Sequence, residues 1–235
     1  MERSVMPTAM ITGANRGIGL ELLRQYAQQG WRVLGTCRNP ETASAAQALA
    51  DAHDSVSLHA LDVTDAAAVA ALAVSLDSSR IDVLVLNAGV MSPGANTLGE
   101  LDASAFLHVL EVNVVAPAIC AQAFRRHVAT SERRIIVGMG SYLGSIASNN
   151  EGGLYSYRSA KAGLHAIMRS LSVDLRDEGV TAIAMHPGWV QTDMGGPDAS
   201  LSTEASVAGI LRVIDGLKPG DSGRLLTYAG EELPW

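Results

Sequence analysis

The sequence predicts an α/β fold: one doubly wound domain whose seven-stranded parallel sheet is covered by helices on both faces. Three observations carry that expectation. Short apolar runs alternate with helical patterns along the whole chain, the runs are near-continuously apolar, and no linker breaks the alternation. The 235 residues suffice for one large domain or two small ones. Without a Pro/Gly/Ser-rich divider, a low-complexity tract or an internal repeat, residues 1–235 read as a single domain.

The elements follow in order. Ala9 to Thr12 is a short strand that ends at a glycine turn, and Leu20, Leu22, Leu23 and Tyr26 mark the helix behind it. Gly30 suits a helix C-terminal cap before the second strand, Val33 to Cys37. An Ala-rich helix over Thr42 to Ala52 leads to a strand at Val56 to Ala60. A helix over Asp65 to Leu76 leads to a strand at Ile81 to Leu86, and one long helix occupies Asp102 to His127. The second half gives a strand at Ile135 to Met139, a helix over Ser156 to Asp177, and a strand at Val180 to Met185. A helix over Thr203 to Ile214 and a last strand, Gly223 to Thr227, complete the pattern.

The composition, 48% hydrophobic and 17% charged with net charge -7, is that of an ordinary globular protein and lacks the basic footprint nucleic acid needs. Two cysteines, Cys37 and Cys120, do not make a disulfide framework and fit a reducing compartment. No uninterrupted apolar run approaches a membrane span, and residues 1 to 8 lack a signal-peptide core, so a cytoplasmic protein is expected. The six histidines, His53, His59, His108, His127, His165 and His186, are scattered without metal-ligand spacing, so no metal site is expected.

In a doubly wound fold ligands sit beyond the carboxyl ends of the strands, and the informative residues fall there. Thr12-Gly13-Ala14-Asn15-Arg16-Gly17-Ile18-Gly19 joins strand to helix with G-x-x-x-G-x-G spacing, which lets backbone N–H groups approach a pyrophosphate; a glycine turn without a phosphate is the plain alternative. After the second strand, Cys37-Arg38 stands where an acid would hold an unphosphorylated adenine ribose. Arg38, helped by Arg16, offers charge to a 2'-phosphate, which favours NADP(H) over NAD(H), although arginine beside a turn is also common decoration. Asp62-Val63 ends the third strand, with Asp62 either accepting from an adenine amino group or capping a helix. Asn87-Ala88-Gly89 ends the fourth with small residues. Tyr157 and Lys161, four apart, share one helix face, where an ammonium favours a phenolate.

On these residues, together with Asn113, Ser141, Tyr157-Arg158-Ser159-Ala160-Lys161 and Pro187-Gly188, the chain resembles the short-chain dehydrogenase/reductase family over essentially its whole length. Within that family it looks most like the branch of sniffer-type carbonyl reductases and C-factor-like proteins. Gly144-Ser145-Ile146, Gly152-Gly153, Tyr155-Ser156-Tyr157-Arg158, Gly188 to Met194 and Glu232-Leu233-Pro234-Trp235 carry the narrower match. The resemblance implies a Rossmann-type domain holding cofactor and substrate together. It implies Tyr157 as general acid in carbonyl reduction and base in alcohol oxidation, with Lys161 lowering its pKa and holding the nicotinamide ribose. Ser141 would bond the substrate carbonyl oxygen, and Asn113 would hold a water linking Lys161 to solvent. Pro187, Gly188 and Val190 would pass the nicotinamide carboxamide, with Thr192 near the pyrophosphate.

Two departures leave alternatives open. Gly140 stands where the family often has a first of two serines, and the gap from Ser141 to Tyr157 is longer than usual, so Ser145 is a rival for Ser141. Tyr155 is a rival for Tyr157 but has Ser159, not lysine, four residues on. Met91, Tyr142, Leu143, Tyr155, Trp189 and Met194 are candidate pocket residues for an aldehyde, ketone or quinone-like carbonyl, with a short lid at 194–202; core packing explains any one of them equally. A hydrolase built on Ser141 lacks a G-x-S-x-G elbow. A dinucleotide-binding regulatory or signalling protein with incidental reductase activity is the other reading. The resemblance also implies a homodimer or homotetramer paired through the helices at 102–127 and 156–177.

Overall fold

The structure is a computed structural model that describes residues 6–92 and 97–235; residues 1–5, part of the stretch read for a signal peptide, lie outside it. In chain order the elements are β1 (Thr8–Thr12), α1 (Gly17–Gln28), β2 (Arg32–Cys37), α2 (Ser44–Ala52), β3 (Val56–Ala60), α3 (Ala66–Ser75) and β4 (Val83–Leu86). Then come α4 (Ala103–Leu110), a π turn (Glu111–Val115), α5 (Ala116–Ala129), β5 (Ile135–Met139), α6 (Tyr155–Asp174), β6 (Thr181–His186), α7 (Thr203–Gly216), β7 (Leu225–Thr227) and β8 (Glu232–Leu233). The sheet order is β3-β2-β1-β4-β5-β6-β7-β8, so the chain reverses its direction of travel between β1 and β4. The seven expected strands are all present and parallel. An eighth, the two-residue β8, adds to β7 antiparallel, with Leu225 opposite Leu233 and Leu226 opposite Glu232.

Apolar runs form the central strands because those strands are buried on both sides, whereas the edge strand β3 is mostly half-buried. Ile11, Val83, Val85, Val137, Ile183 and Met185 face α1 and α7, where Leu22, Leu23, Tyr26, Val207, Ile210 and Ile214 meet them. The alternate residues Met10, Leu34, Leu84, Leu86, Ile136 and Ala184 face the other way, onto Phe124, Val128, Leu164 and Met168 of α5 and α6. Period-two geometry thus divides one apolar run between two cores. Truncating a fully buried side chain such as Phe124 to alanine would cost about 3–5 kcal/mol.

Polar residues fix where several helices start. The Asp65 carboxylate accepts from the N–H groups of Ala67 and Ala68 at 2.9 and 3.0 Å to cap α3, and Asp102 accepts from Ala105 at 2.6 Å to cap α4. The helix read as continuous over 102–127 carries a π turn because Pro117 has no N–H. The carbonyl four residues before it, that of Asn113, lacks its α-helical donor, and the bond from the Ala116 N–H reaches back to Glu111. By length and composition this helix, Ala103–Ala129, would suffice to cross a membrane, which the sequence did not lead us to expect; here Phe124 and Val128 are fully buried in the fold.

Candidate active site

The glycine turn is stitched to the neighbouring strand. The Thr12 hydroxyl accepts from the N–H groups of Asn87 and Ala88 at 3.0 and 3.1 Å, while Asn87 Nδ2 donates to the carbonyls of Thr12 and Gly13 at 2.9 and 3.1 Å. Gly13 has φ +70°, and a Cβ there would stand 2.9 Å from Ala88 Cα; at Gly19 a Cβ would meet the Gly13 carbonyl at 2.1 Å. Backbone thus packs on backbone at the switch point. Helix α1 starts here with no side-chain cap and no acid in its first turn, which leaves its N-terminal N–H groups and dipole facing a cleft of about 670 Å³. An uncapped helix start inside a cradle with no room for side chains fits the pyrophosphate of a dinucleotide.

That cleft is lined by Gly13, Asn15, Arg16, Gly17, Ile18, Gly19, Arg38, Asp62, Val63, Asn87, Ala88, Gly89 and Thr192, all expected from the sequence, and by Met194. Pro187, Gly188 and Val190 lie beyond its lining. Val190 is buried and pairs with Leu201, the Pro187 carbonyl accepts from Ser206 Oγ at 2.6 Å, and Leu201 and Tyr228 occupy the space above Gly188. Asp62 is not the cap of α3. Its Oδ1 accepts from the Thr64 N–H and hydroxyl at 2.9 and 2.7 Å, and those bonds, with a smaller contribution from the Arg38 charge, hold its carboxyl below the usual range. Arg38 is exposed at the cleft, whereas Arg16 is paired across its mouth with Asp193 at 2.5 Å.

Tyr157 lies in the first turn of α6, after a sharp entry in which Gly152, Gly153 and Leu154 all have positive φ. Tyr157 and Lys161 are both buried, and Lys161 Nζ sits 5.6 Å from the tyrosine ring centre and donates to the Met139 carbonyl at 2.8 Å, at the end of β5. Ser141, two residues beyond β5, is hydrogen-bonded to the Tyr157 phenol, and its Oγ also accepts from the Leu143 N–H at 3.1 Å. Burial pushes the phenol pKa up, and the opposing pull comes from Ser141. Lys161 lies beside the ring and bonds Met139, and burial brings its own pKa down to about 8.

Asn113 sits in the π turn, and both ends of its amide are taken by Val90: Nδ2 donates to the carbonyl at 2.7 Å and Oδ1 accepts from the N–H at 2.9 Å. This side chain therefore fixes the exit of β4. Between it and the lysine lies Gly89, where a Cβ would stand 2.9 Å from Asn113 Oδ1 and 3.6 Å from Lys161 Nζ. Gly89 lines the cleft, whereas Ser141, Tyr157 and Lys161 are not among its lining residues, so this glycine is the link between cleft and lysine.

The rivals separate. Ser145 is bound into its own loop, its Oγ donating to Ser148 Oγ at 2.9 Å, and Tyr155 is exposed at the start of α6, so Ser141 and Tyr157 form the pair. Tyr142, Tyr155, Trp189 and Met194 are exposed, Leu143 and Met91 half-buried. The 189–201 segment is folded back on itself: Trp189 Nε1 donates to the Gly195 carbonyl at 2.8 Å, and Gln191 N–H to that of Leu201 at 2.8 Å. The sequence reading missed Asp193, Arg16's partner, and His165, whose Nε2 accepts from the Ser141 N–H at 3.3 Å. His165 had a legible signal, since it follows Lys161 by four and continues the Tyr157-Lys161 face.

A family model for short chain dehydrogenases matches residues 7–200. The chain belongs to that family. This short-chain dehydrogenase is 43% identical over 165 residues to the C-signal of Myxococcus xanthus, a match covering 70% of this chain and 99% of the relative. It superposes on the carbonyl reductase Sniffer of D. melanogaster with TM-score 0.93 and 32% identity, covering 98% and 100% of the two chains. An NADPH-bound carbonyl reductase from chicken fatty liver gives TM-score 0.92 and 32% identity over 98% and 99%. The protein is an oxidoreductase of this family with carbonyl reductases among its structural neighbours. The regulatory alternative raised by the C-factor likeness is not favoured beside that full-length agreement.

Proposed function

We propose that this protein is an NADPH-dependent carbonyl reductase acting on small to medium aldehydes, ketones or quinone-like carbonyls. The observation that carries the reading is the buried Ser141–Tyr157 pair with Lys161 beside it, set against the dinucleotide cleft at Gly89. The bound nicotinamide would supply the hydride. Tyr157 and Ser141 then converge on one point. The Leu143 N–H occupies a lone pair of Ser141 Oγ, which leaves the serine proton to bond the substrate oxygen where negative charge develops. The phenol, kept protonated by burial, delivers its proton to that oxygen. Lys161, fixed by Met139, restores the proton, and the Asn113 carbonyl would hold a water on its path to solvent. The apolar exposed side chains of Tyr142, Trp189 and Met194 suit uncharged carbonyl compounds. Arg38 would take the 2'-phosphate, and an NADPH-bound relative supports that choice.

The test is NADPH oxidation with a panel of aldehydes, ketones and quinones, for wild type and Tyr157→Phe. Turnover of at least one carbonyl by wild type, lost in the variant, is expected; inactivity of both toward the whole panel would remove the reading. We propose in addition a homodimer or homotetramer, supported by the exposed Leu107 and Val115 on the helix that runs from α4 into the π turn. Light scattering showing a monomer would refute it.

A further inference from the structure

We propose that His165 is a positioning residue for Ser141, its imidazole seated between Gly140 and Gly144 so that it holds the backbone of the catalytic loop. The proposal rests on the reading of Ser141 as the residue that binds the substrate oxygen. Tyr157, Lys161 and His165 form one stripe on α6, at four-residue spacing, and all three side chains are buried. The first two reach toward the reacting atoms. The third reaches under the loop, where its Nε2 accepts from the Ser141 N–H at 3.3 Å.

The two glycines provide the second observation. Neither Gly140 nor Gly144 has a positive φ, so backbone conformation does not demand glycine at either place. Space does. A Cβ on residue 140 would stand 2.6 Å from His165 Nε2 and 3.1 Å from its Cδ2, and one on residue 144 would stand 2.6 Å from its Cε1 and 2.8 Å from Lys161 Cβ. The imidazole fills the volume that side chains would take. This accounts for the glycine at 140.

The ring is also held from outside. The Trp235 ring lies 5.5 Å from it at 58°, and the Trp235 carbonyl accepts from the Ala147 N–H at 3.0 Å, tying down the far end of the same loop. An acceptor role needs a neutral imidazole. Burial, aided by the Lys161 charge, brings the His165 pKa down to about 4, so Nε2 keeps its lone pair across the neutral range.

Two experiments test the seat. In the first, His165→Gln, which can present an acceptor near the Nε2 position, is compared with His165→Met, of similar size without one. For positioning, the glutamine variant should keep kcat for carbonyl reduction within about threefold and the methionine variant should lose about tenfold or more, both with unchanged KM for NADPH. Equal kcat in the two variants would overturn the proposal. The second is a thermal unfolding cycle that needs no activity: Gly140→Ala should lower the midpoint by several degrees in wild type and much less in a His165→Ala background. Equal shifts in both backgrounds would overturn it as well. Should wild type reduce no carbonyl, the function proposed above fails while this cycle still decides whether the imidazole holds the loop.

Discussion

Gly89 faces Lys161 across the wall of the cleft, close enough that a Cβ would stand 3.6 Å from Nζ and 2.9 Å from Asn113 Oδ1. The glycine is what brings cleft and lysine together. Gly89→Val is expected to lower kcat/KM at least tenfold, because the side chain must displace Asn113 or fill the space beside the ammonium. Gly89→Ala should be milder, since only one carbon is added. Steady-state kinetics of the two variants check this, and equal activity of all three proteins would refute it.

Lys161 is costly to the fold and needed by the chemistry. Its folded pKa of about 8 lies below the ordinary value of about 10.4, so the native state releases the proton first. The cost of burying the charge is full below pH 8 and fades as pH rises through that window, so this residue makes stability increase with pH there. Lys161→Met should therefore stabilise the protein at pH 7 by about 1–3 kcal/mol, after the lost bond to Met139, while abolishing turnover. Urea unfolding at pH 7 and pH 10 checks it; a variant less stable at pH 7 would contradict the argument.

The raised phenol of Tyr157 gives the two reaction directions different pH profiles. Reduction needs the protonated form and should be flat from pH 6 to 8 as far as this residue controls it; alcohol oxidation needs the phenolate and should climb with pH over the same range. Rates measured in both directions across that range decide the matter. An oxidation rate already level at pH 7 would mean that the phenol is not raised under working conditions.

Arg16 and Arg38 have different partners, and this separates their parts in cofactor choice. Arg38 is exposed at the cleft, so Arg38→Ala should weaken NADPH binding about tenfold and leave NADH unchanged. Arg16 is paired with Asp193, both highly exposed, and such a pair contributes little, on the order of 0–1 kcal/mol. Asp193→Asn should free Arg16 and tighten NADPH by no more than a few-fold. Calorimetry with both cofactors reads these differences, and equal losses for NADPH and NADH in Arg38→Ala would sink the 2'-phosphate argument.

Most of the sheet was legible because the central strands are buried on both faces and so are written as nearly unbroken apolar runs. Strand β8 was not, since two residues, Glu232 and Leu233, are too few to show a period. The π turn was missed although Pro117 signals it, because the apolar pattern continues on both sides. At the site, glycine turn, Tyr157 and Lys161 are local in sequence and were read directly. The choice between Ser141 and Ser145 needed the loop's own hydrogen bonds. The direction of the Tyr157 shift needed burial, which no spacing reports.

The stitching of Thr12 to Asn87 and Ala88 makes the two sides of the dinucleotide cleft unequal. Four hydrogen bonds lock the glycine turn to the end of β4, so that side has no way to part without breaking the sheet at its centre. The opposite side, from Trp189 to Leu201, is held by one bridge, a few loop bonds and the exposed Arg16–Asp193 pair. Cofactor entry and departure are expected to involve movement of that outer segment, with amides at 189–201 exchanging hydrogen faster than those at 12–14 and 87–90. If product release limits turnover, the rate will be set by that loop and not by the proton-transfer residues.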